Sequence, residues 1–373
     1  MTAVVIAAGG AAWEAEVLGA LQHRDGVEVL RRCVDVPDLL AAARTRNPDV
    51  AVVAPGLPGL TLDAVRAVQE GGCLVLVVGT AAAGADLGAD RAVAVAEVPD
   101  AVAGAGSARA DAEGAPDRGR LVAVWGPAGA PGRSVLAGAV AGAAAREGTR
   151  VLLVDADVQG GAQAQLLGVL DEVSGLVAAC RAAARARPDL AEHVVPVDRG
   201  VDLLSGLPRA DMWPHLRVPQ LDRVLSAARA HADLVVVDLG PGLDLPPGGS
   251  RSPHDVTRHV LAVADDVLVV GRADPVGVAR LVRGLHDLSD VTAHRPHVVL
   301  NRVRRSIGWA ETELATTVRS LAGLETAAVL PEDTATVDAA AVRGVLPHRV
   351  DRRGPFVAAV TELASRFRPL TAA

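Results

Sequence analysis

Short apolar runs alternate with longer stretches of helical period along most of the chain. In the first hundred residues the runs are 3–7, 27–30, 50–54, 74–78 and 92–95, drawn chiefly from Val, Leu, Ile and Ala. Helices are expected between them, for example over Val36–Arg46 and Leu62–Glu70. Further runs follow at 121–125, 151–154, 201–204, 234–237, 267–270, 298–300 and 327–330. All but the third, which contains Asp202, are uncharged, the mark of strands buried on both faces of a parallel sheet. A strand-then-helix rhythm repeated this often predicts an α/β architecture. Five such units in the first part predict a flavodoxin-like sandwich. The second part predicts a larger, mostly parallel sheet. Between 101 and 120 the sequence AVAGAGSARADAEGAPDRGR keeps no periodic apolar face and reads as a linker. The expected organisation is therefore a domain over 1–100, a linker over 101–120 and a domain over 121–373. No tandem repeat at a solenoid period is present.

Composition narrows the chemistry. The chain has 373 residues and a formal net charge of −7, and all 37 of its basic Lys-or-Arg positions are arginine. Codon usage in a GC-rich genome explains most of that bias. Even so, the absence of lysine excludes Schiff-base chemistry, a lysine general base, and any phosphate site built on an ammonium group. Cys33, Cys73 and Cys180 are scattered, without a CxxC or a histidine pairing, so neither a disulfide framework nor a zinc site is indicated. The N-terminus lacks a basic leader, and the longest uncharged apolar stretch, 71–85, is too short and glycine-broken to span a bilayer. A soluble, cytoplasmic protein is expected. Mild acidity argues against a dedicated nucleic-acid binder.

The chemistry-bearing residues lie in the second part. LVAVWGPAGAPGRS (121–134) reads as a strand, a glycine-rich loop and the start of a helix, which aims backbone N–H groups at an anion. Next comes VLLVDADVQGG, a strand ending in Asp155 and Asp157. Later HADLVVVDLGPG ends another strand in Asp238, with Gly240 and Gly242 behind it. Acids at the C-terminal ends of neighbouring parallel strands, beside a phosphate loop, are where Mg²⁺ and an attacking water would be held.

The order of these pieces resembles the ParA/MinD group of deviant Walker ATPases, over roughly residues 120–370. VLLVDADVQGG is similar to that family's switch I segment and VVVDLGPG to its Walker B and switch II strand. VVLNRV is similar to the strand carrying the adenine-contacting Asn, here Asn301, and VLPEDTATVDAAAVRG to the segment after it. The resemblance implies ATP and Mg²⁺ as ligands. Gly129, Gly132, Arg133, Ser134 and Asn301 would hold the nucleotide, Ser134, Asp155 and Asp238 the metal, and Asp157 would orient the water. The loop departs from the family's GKGGVGKT. Arg133 stands for the P-loop lysine, and Ala128 for the signature lysine that reaches across the dimer. Pro131 has no N–H to offer a phosphate, and Ala130 would be strained if its position needed a positive φ. Nucleotide binding with weak or absent hydrolysis is the expectation. A nucleotide-free scaffold and a DNA-partitioning ATPase are the alternatives.

The first domain resembles a response-regulator receiver, most clearly in PDVAVVAPGLPGLTLDAVRAVQ and LVLVVGT. The phospho-accepting Asp is Ala54 here, the acid pair falls on Ala7 and Ala8, and Thr80 matches the switch hydroxyl. A pseudo-receiver that docks a protein partner is the implied role. This layout is similar to the CpaE/TadZ proteins, which position pilus machinery at a cell pole; related proteins act at the division septum. A homodimer is a further implied partner. In the last helix Phe356, Val360, Leu363 and Phe367 form one apolar stripe flanked by Arg352, Arg353, Arg366 and Arg368. It reads as a helix docked on the sheet in preference to a membrane-surface helix. DNA contact through Arg302, Arg304 and Arg305, or through His348, Arg349, Arg352 and Arg353, is the less favoured reading of those groups.

Overall fold

The structure, a computed structural model, describes residues 2–46, 48–70, 73–104, 119–169, 173–184, 188–246 and 251–367. The chain divides into two compact units, Met1–Pro116 and Asp117–Ala373.

The first unit is built on β1 (Thr2–Ala7), β2 (Val27–Arg32), β3 (Val50–Val53), β4 (Leu74–Val78) and β5 (Arg91–Val93). They pair in parallel in the order β2-β1-β3-β4-β5, the flavodoxin-like order. Alternation along the strands sends Val5, Ala7, Val53 and Val77 into one core and Val4, Ile6, Val52 and Leu76 into the other. The first core is closed by the helices Val36–Arg46 and Leu62–Glu70, at the bounds the periodicity predicts. One boundary moves. Helix continues through residue 104, and Ala101 and Val102 are buried with Val98 in the second core. The 98, 101, 102 spacing gives that turn an apolar face, which the small residues around it obscure. Of the rest of the expected linker, 105–118 lies outside the described residues, and Arg120 already opens the first strand of the second unit.

The second unit carries β6 (Arg120–Trp125), β7 (Val151–Ala156), β8 (Val195–Asp198), β9 (Val201–Leu204), β10 (Leu234–Leu239), β11 (Asp266–Arg272), β12 (His297–Val303) and β13 (Thr326–Pro331). The order is β13-β12-β11-β6-β10-β7-β9-β8. Every neighbouring pair is parallel except β8 with β9. β8 is the strand the apolar pattern does not announce. Its VPVD is only partly buried, and Pro196 is tolerated because the strand is an edge. β6, β10 and β7 lie side by side near the centre, so the loops leaving their C-terminal ends meet one another.

The C-terminal helix Pro355–Ala364 packs on the helix Arg133–Arg146 and on β13. Phe356, Val360, Leu363 and Phe367, the expected stripe, are all buried. Phe367 sits edge-on to His297 at 5.2 Å between ring centres and under the Arg120 guanidinium at 5.5 Å. Arg120 also donates to the Arg366 carbonyl at 2.9 Å and forks onto Asp266. Burial pushes the Asp266 carboxyl up, but the hydrogen bonds from His297 and Arg120 outweigh it and hold the group below its usual range. The stripe is thus part of the core, as the docked-helix reading of this segment expects. No described helix is long and apolar enough to cross a membrane.

Candidate functional site

The loop after β6 makes its turn at residues 126–132. Gly129 has φ +82° and Gly132 φ +88°, the left-handed region that a side chain disfavours. Gly132 caps the helix Arg133–Arg146, and a side chain there would also displace the Asn301 carboxamide. Ala130 is not in the left-handed region: among the described residues Arg302 is the non-glycine with positive φ. The strain considered for Ala130 is therefore absent. Its N–H, however, turns inward to the Pro127 carbonyl at 3.0 Å. With Pro127 and Pro131 lacking a donor, three of the loop's backbone positions offer no free N–H to an anion.

Arg133 does not extend into the loop as a free cation. Its Nε donates to the Leu239 carbonyl at 3.2 Å, its Nη1 to the Ala130 carbonyl at 3.2 Å, and its Nη2 lies 3.8 Å from Asp157 Oδ2. The planar fork that cannot take an ammonium's compact place is instead spread across carbonyl groups. Asn301 is also engaged. Its Nδ2 donates to the Pro131 carbonyl at 2.9 Å and its Oδ1 accepts from the Arg302 N–H at 2.9 Å. In this state it braces the loop from β12.

The three acids converge because of the strand order. Asp238 of β10 is in register with Asp155 of β7 on one side and with Val124 of β6 on the other. Asp155 and Asp238 are almost fully buried. Asp155 accepts from the backbone N–H groups of Gln163 at 3.0 Å and of Asp157 at 3.3 Å. Asp157 accepts from the Gln159 and Gly160 N–H groups at 3.1 and 3.0 Å, which fixes its carboxylate in a turn. Asp238 accepts from Gln163 Nε2 at 2.9 Å through one oxygen, while its Oδ1 is buried without a hydrogen-bond partner. Burial pushes Asp155 well above the usual carboxylate range, and the charge of Asp238 adds to the effect. Burial raises Asp238 too, against the pull of the Ser134 hydroxyl and the Gln163 carboxamide.

Gln163 is the residue that sequence reasoning passes over. Its Nε2 bridges Asp238 and the Ser134 carbonyl, at 2.9 Å each, and its backbone holds Asp155. It therefore joins the loop helix to both buried acids. No apolar period marks it; the available signal is its place just after the glycine pair of VQGGAQ. Gly206 is a second omission. A side chain there would strike the Asp155 carboxylate, so the turn after β9 must be bare for that acid to sit where it does.

Protein side chains alone do not make a metal cage here. Among the described residues no three His, Cys, Asp or Glu side chains come together in a group that could hold a metal by themselves. Mg²⁺ does not require one: it is commonly held by one or two carboxylates, water and phosphate oxygens. The unpartnered Asp238 Oδ1 and the raised pKa of both carboxyls are what a site short of positive charge looks like. The residues fit a metal arriving with a phosphate ligand. A cleft of about 390 Å³ opens beside Ala128, bounded by Trp125, Pro127, Gln159, Asp244 and Arg258. Of the phosphate-loop positions only Pro127 and Ala128 line it; the buried acids, Ser134 and Asn301 do not. The buried thiols take no part: burial pushes Cys180 up to about 12 and Cys33 to about 11, the latter with help from Asp38.

The basic groups weighed for DNA are partly neutralised. His348 Nε2 is 3.1 Å from Asp198 and Arg349 Nε 3.6 Å from the same carboxylate, while Arg304 Nε stands 3.9 Å from Glu332.

Comparison with known proteins agrees with this layout. Among solved structures, the cell division ATPase MinD of Pyrococcus furiosus superposes with a TM-score of 0.55 at 19% identity, covering 66% of this chain and 97% of that one. A ParA family ATPase from Chlorobium tepidum gives 0.56 at 18% identity, covering 66% and 98%. The septum site-determining protein MinD of Pyrococcus horikoshii, complexed with Mg-ADP, gives 0.54 at 16% identity, covering 66% and 95%. At these identities the likeness is one of fold. No curated protein matches the chain. The family model of the CobQ/CobB/MinD/ParA nucleotide binding domain matches residues 122–346, more than half the chain, and the chain belongs to that family.

Proposed function

We propose that the second unit is a Mg-ATP-responsive switch and that the protein is a spatial regulator of the ParA/MinD/CpaE type, positioning pilus, secretion or division machinery. The observation that carries this reading is the buried Asp155–Asp238 pair beside the glycine turn, with Asp238 Oδ1 unpartnered. Gly129, Gly132, Ser134 and Asn301 would bind the nucleotide, and Ser134, Asp155 and Asp238 would hold Mg²⁺, which would neutralise phosphate charge when bound. Arg133 would have to exchange its carbonyl partners for phosphate oxygens on binding. Asp157 would orient water, yet its carboxylate is tied to two N–H groups and stands beside the Arg133 guanidinium. These contacts already occupy the carboxylate that would face the water, which supports weak or absent hydrolysis. Ala128 brings no charge across a dimer interface, which further weakens hydrolysis and leaves homodimerisation to other contacts. The first unit serves as a pseudo-receiver that docks a protein partner, since Ala54, Ala7 and Ala8 leave no carboxylate at the positions a receiver would phosphorylate.

Sedimentation of the full chain with Mg-ATP, with Mg-ADP and without nucleotide, alongside a phosphate-release assay, tests the switch. The expected outcome is a nucleotide-dependent change in sedimentation with turnover far below one per minute. Identical sedimentation in all three, with no phosphate released, would favour the scaffold reading that Arg133's internal bonds also support.

A further inference from the structure

The helix Pro275–Ser289 follows β11, the strand that flanks β6 on the side away from β10. It starts at Asp274, whose carboxylate caps the Gly277 N–H at 2.8 Å, and runs past the loop at close range. At Gly284 a side chain would press on Pro127 and Trp125. One turn earlier, on the same face, stands Arg280. Its guanidinium lies against Gly129, so that a side chain at 129 would run into it. Arg280 is exposed, and among the described residues it has no hydrogen bond or ion pair. Two guanidinium groups thus flank the turn. Arg133 is held by protein carbonyl groups, and Arg280 is unengaged beside Gly129.

Resting on the nucleotide reading of this site, we propose that Arg280 is a second phosphate-binding cation beside Arg133, supplied in cis by a helix outside the loop sequence, with nucleoside di- and triphosphates as its ligands. A partnerless guanidinium presents paired donors that match phosphate oxygens, and it stands over a residue that brings no side chain of its own. It supplies positive charge where Ala128 brings none and Pro131 withholds an N–H. Arg280 acts as a positioning and binding group. It belongs to none of the motifs around the site, so only the folded helix brings it to the loop.

The test is equilibrium binding of Mg-ATP, Mg-ADP and adenosine to the full chain, by calorimetry, in wild type, Arg280→Ala and Arg280→Lys. The expected loss for Arg280→Ala is about tenfold for ATP, smaller for ADP and none for adenosine, with partial recovery in Arg280→Lys. Unchanged melting temperature, expected for an exposed side chain, separates this from misfolding. ATP affinity equal to or tighter than wild type in Arg280→Ala overturns the assignment and leaves the nucleotide reading standing. A uniform loss across all three ligands also overturns it, since a phosphate contact must spare adenosine. Failure of the wild type to bind any of the three overturns the nucleotide reading, and this assignment with it.

Discussion

The two units share one plan and differ in what stands at the ends of their strands. Each is a mainly parallel sheet with helices on both faces, the arrangement that gathers strand C-termini and the loops after them into a common crevice. In the first unit β1 runs into Ala7 and Ala8, and β3 into Ala54, all buried and apolar. In the second, Asp155 and Asp238 stand near the ends of β7 and β10 and Asp157 directly follows β7, all three buried. Burying alanine there is favourable; burying three carboxylates is not, as the raised pKa values of Asp155 and Asp238 record. A fold tolerates such a penalty where a ligand relieves it. The contrast favours ligand chemistry in the second unit and is consistent with the proposed docking role of the first.

Substitution at the turn glycines should break this contrast most sharply. Gly132→Val forces a side chain into the left-handed region and displaces Asn301, and nucleotide affinity should fall by more than about a hundredfold. Gly10→Val, at a similar positive φ in the first unit and with open space around it, should leave nucleotide affinity unchanged. Equal effects would mean that the turn at 126–132 is not the binding site.

Asp238→Asn sharpens it in two ways. Mg²⁺ should cease to enhance ATP affinity, whereas Mg-free binding should persist. The apo chain should also gain stability. Because burial raises the folded carboxyl above the ~3.9 of an unfolded chain, the folded state keeps a proton that the unfolded state releases, and stability falls as pH rises through that window. Asparagine removes the dependence. The variant should therefore exceed wild type by about 1–2 kcal/mol at pH 8 and by little at pH 4. A gain that is largest in acid would contradict the assignment.

Gln163→Ala leaves Asp238 and the Ser134 carbonyl without their shared donor, and should destabilise the apo chain by about 1–3 kcal/mol. Chemical denaturation would show it as a lower midpoint with unchanged slope. The smallest expected effect is none at all: acetyl phosphate should not phosphorylate any Asp of the first unit, as intact mass would show. A stable phosphoaspartate before residue 105 would remove the distinction between the units.

Much of the fold is legible in the chain because buried parallel strands carry uncharged runs that period alone reveals. β8 escapes since an edge strand with Pro196 and Asp198 lacks that signature, and the helical stretch described through 104 escapes since Ala and Gly blur its apolar face. The acids and glycines of the site are legible from their positions after strands. Gln163 and Arg280 are not, because their roles come from tertiary approach: one crosses between two strands, and the other reaches the loop from a helix about 150 residues later in the sequence. The sequence also shows which loop donors are missing. It does not show that Arg133 would turn to the Ala130 and Leu239 carbonyls, which depends on β10 lying next to β6.

The central claim is that the second unit binds nucleotide through its phosphates with Mg²⁺. Titration calorimetry of the full chain with ATP, with and without Mg²⁺, measures it directly. The account predicts one site per chain in the micromolar to submillimolar range, tightened by Mg²⁺ and weakened in Arg133→Ala. No binding heat up to millimolar Mg-ATP, confirmed at a second temperature, would contradict it.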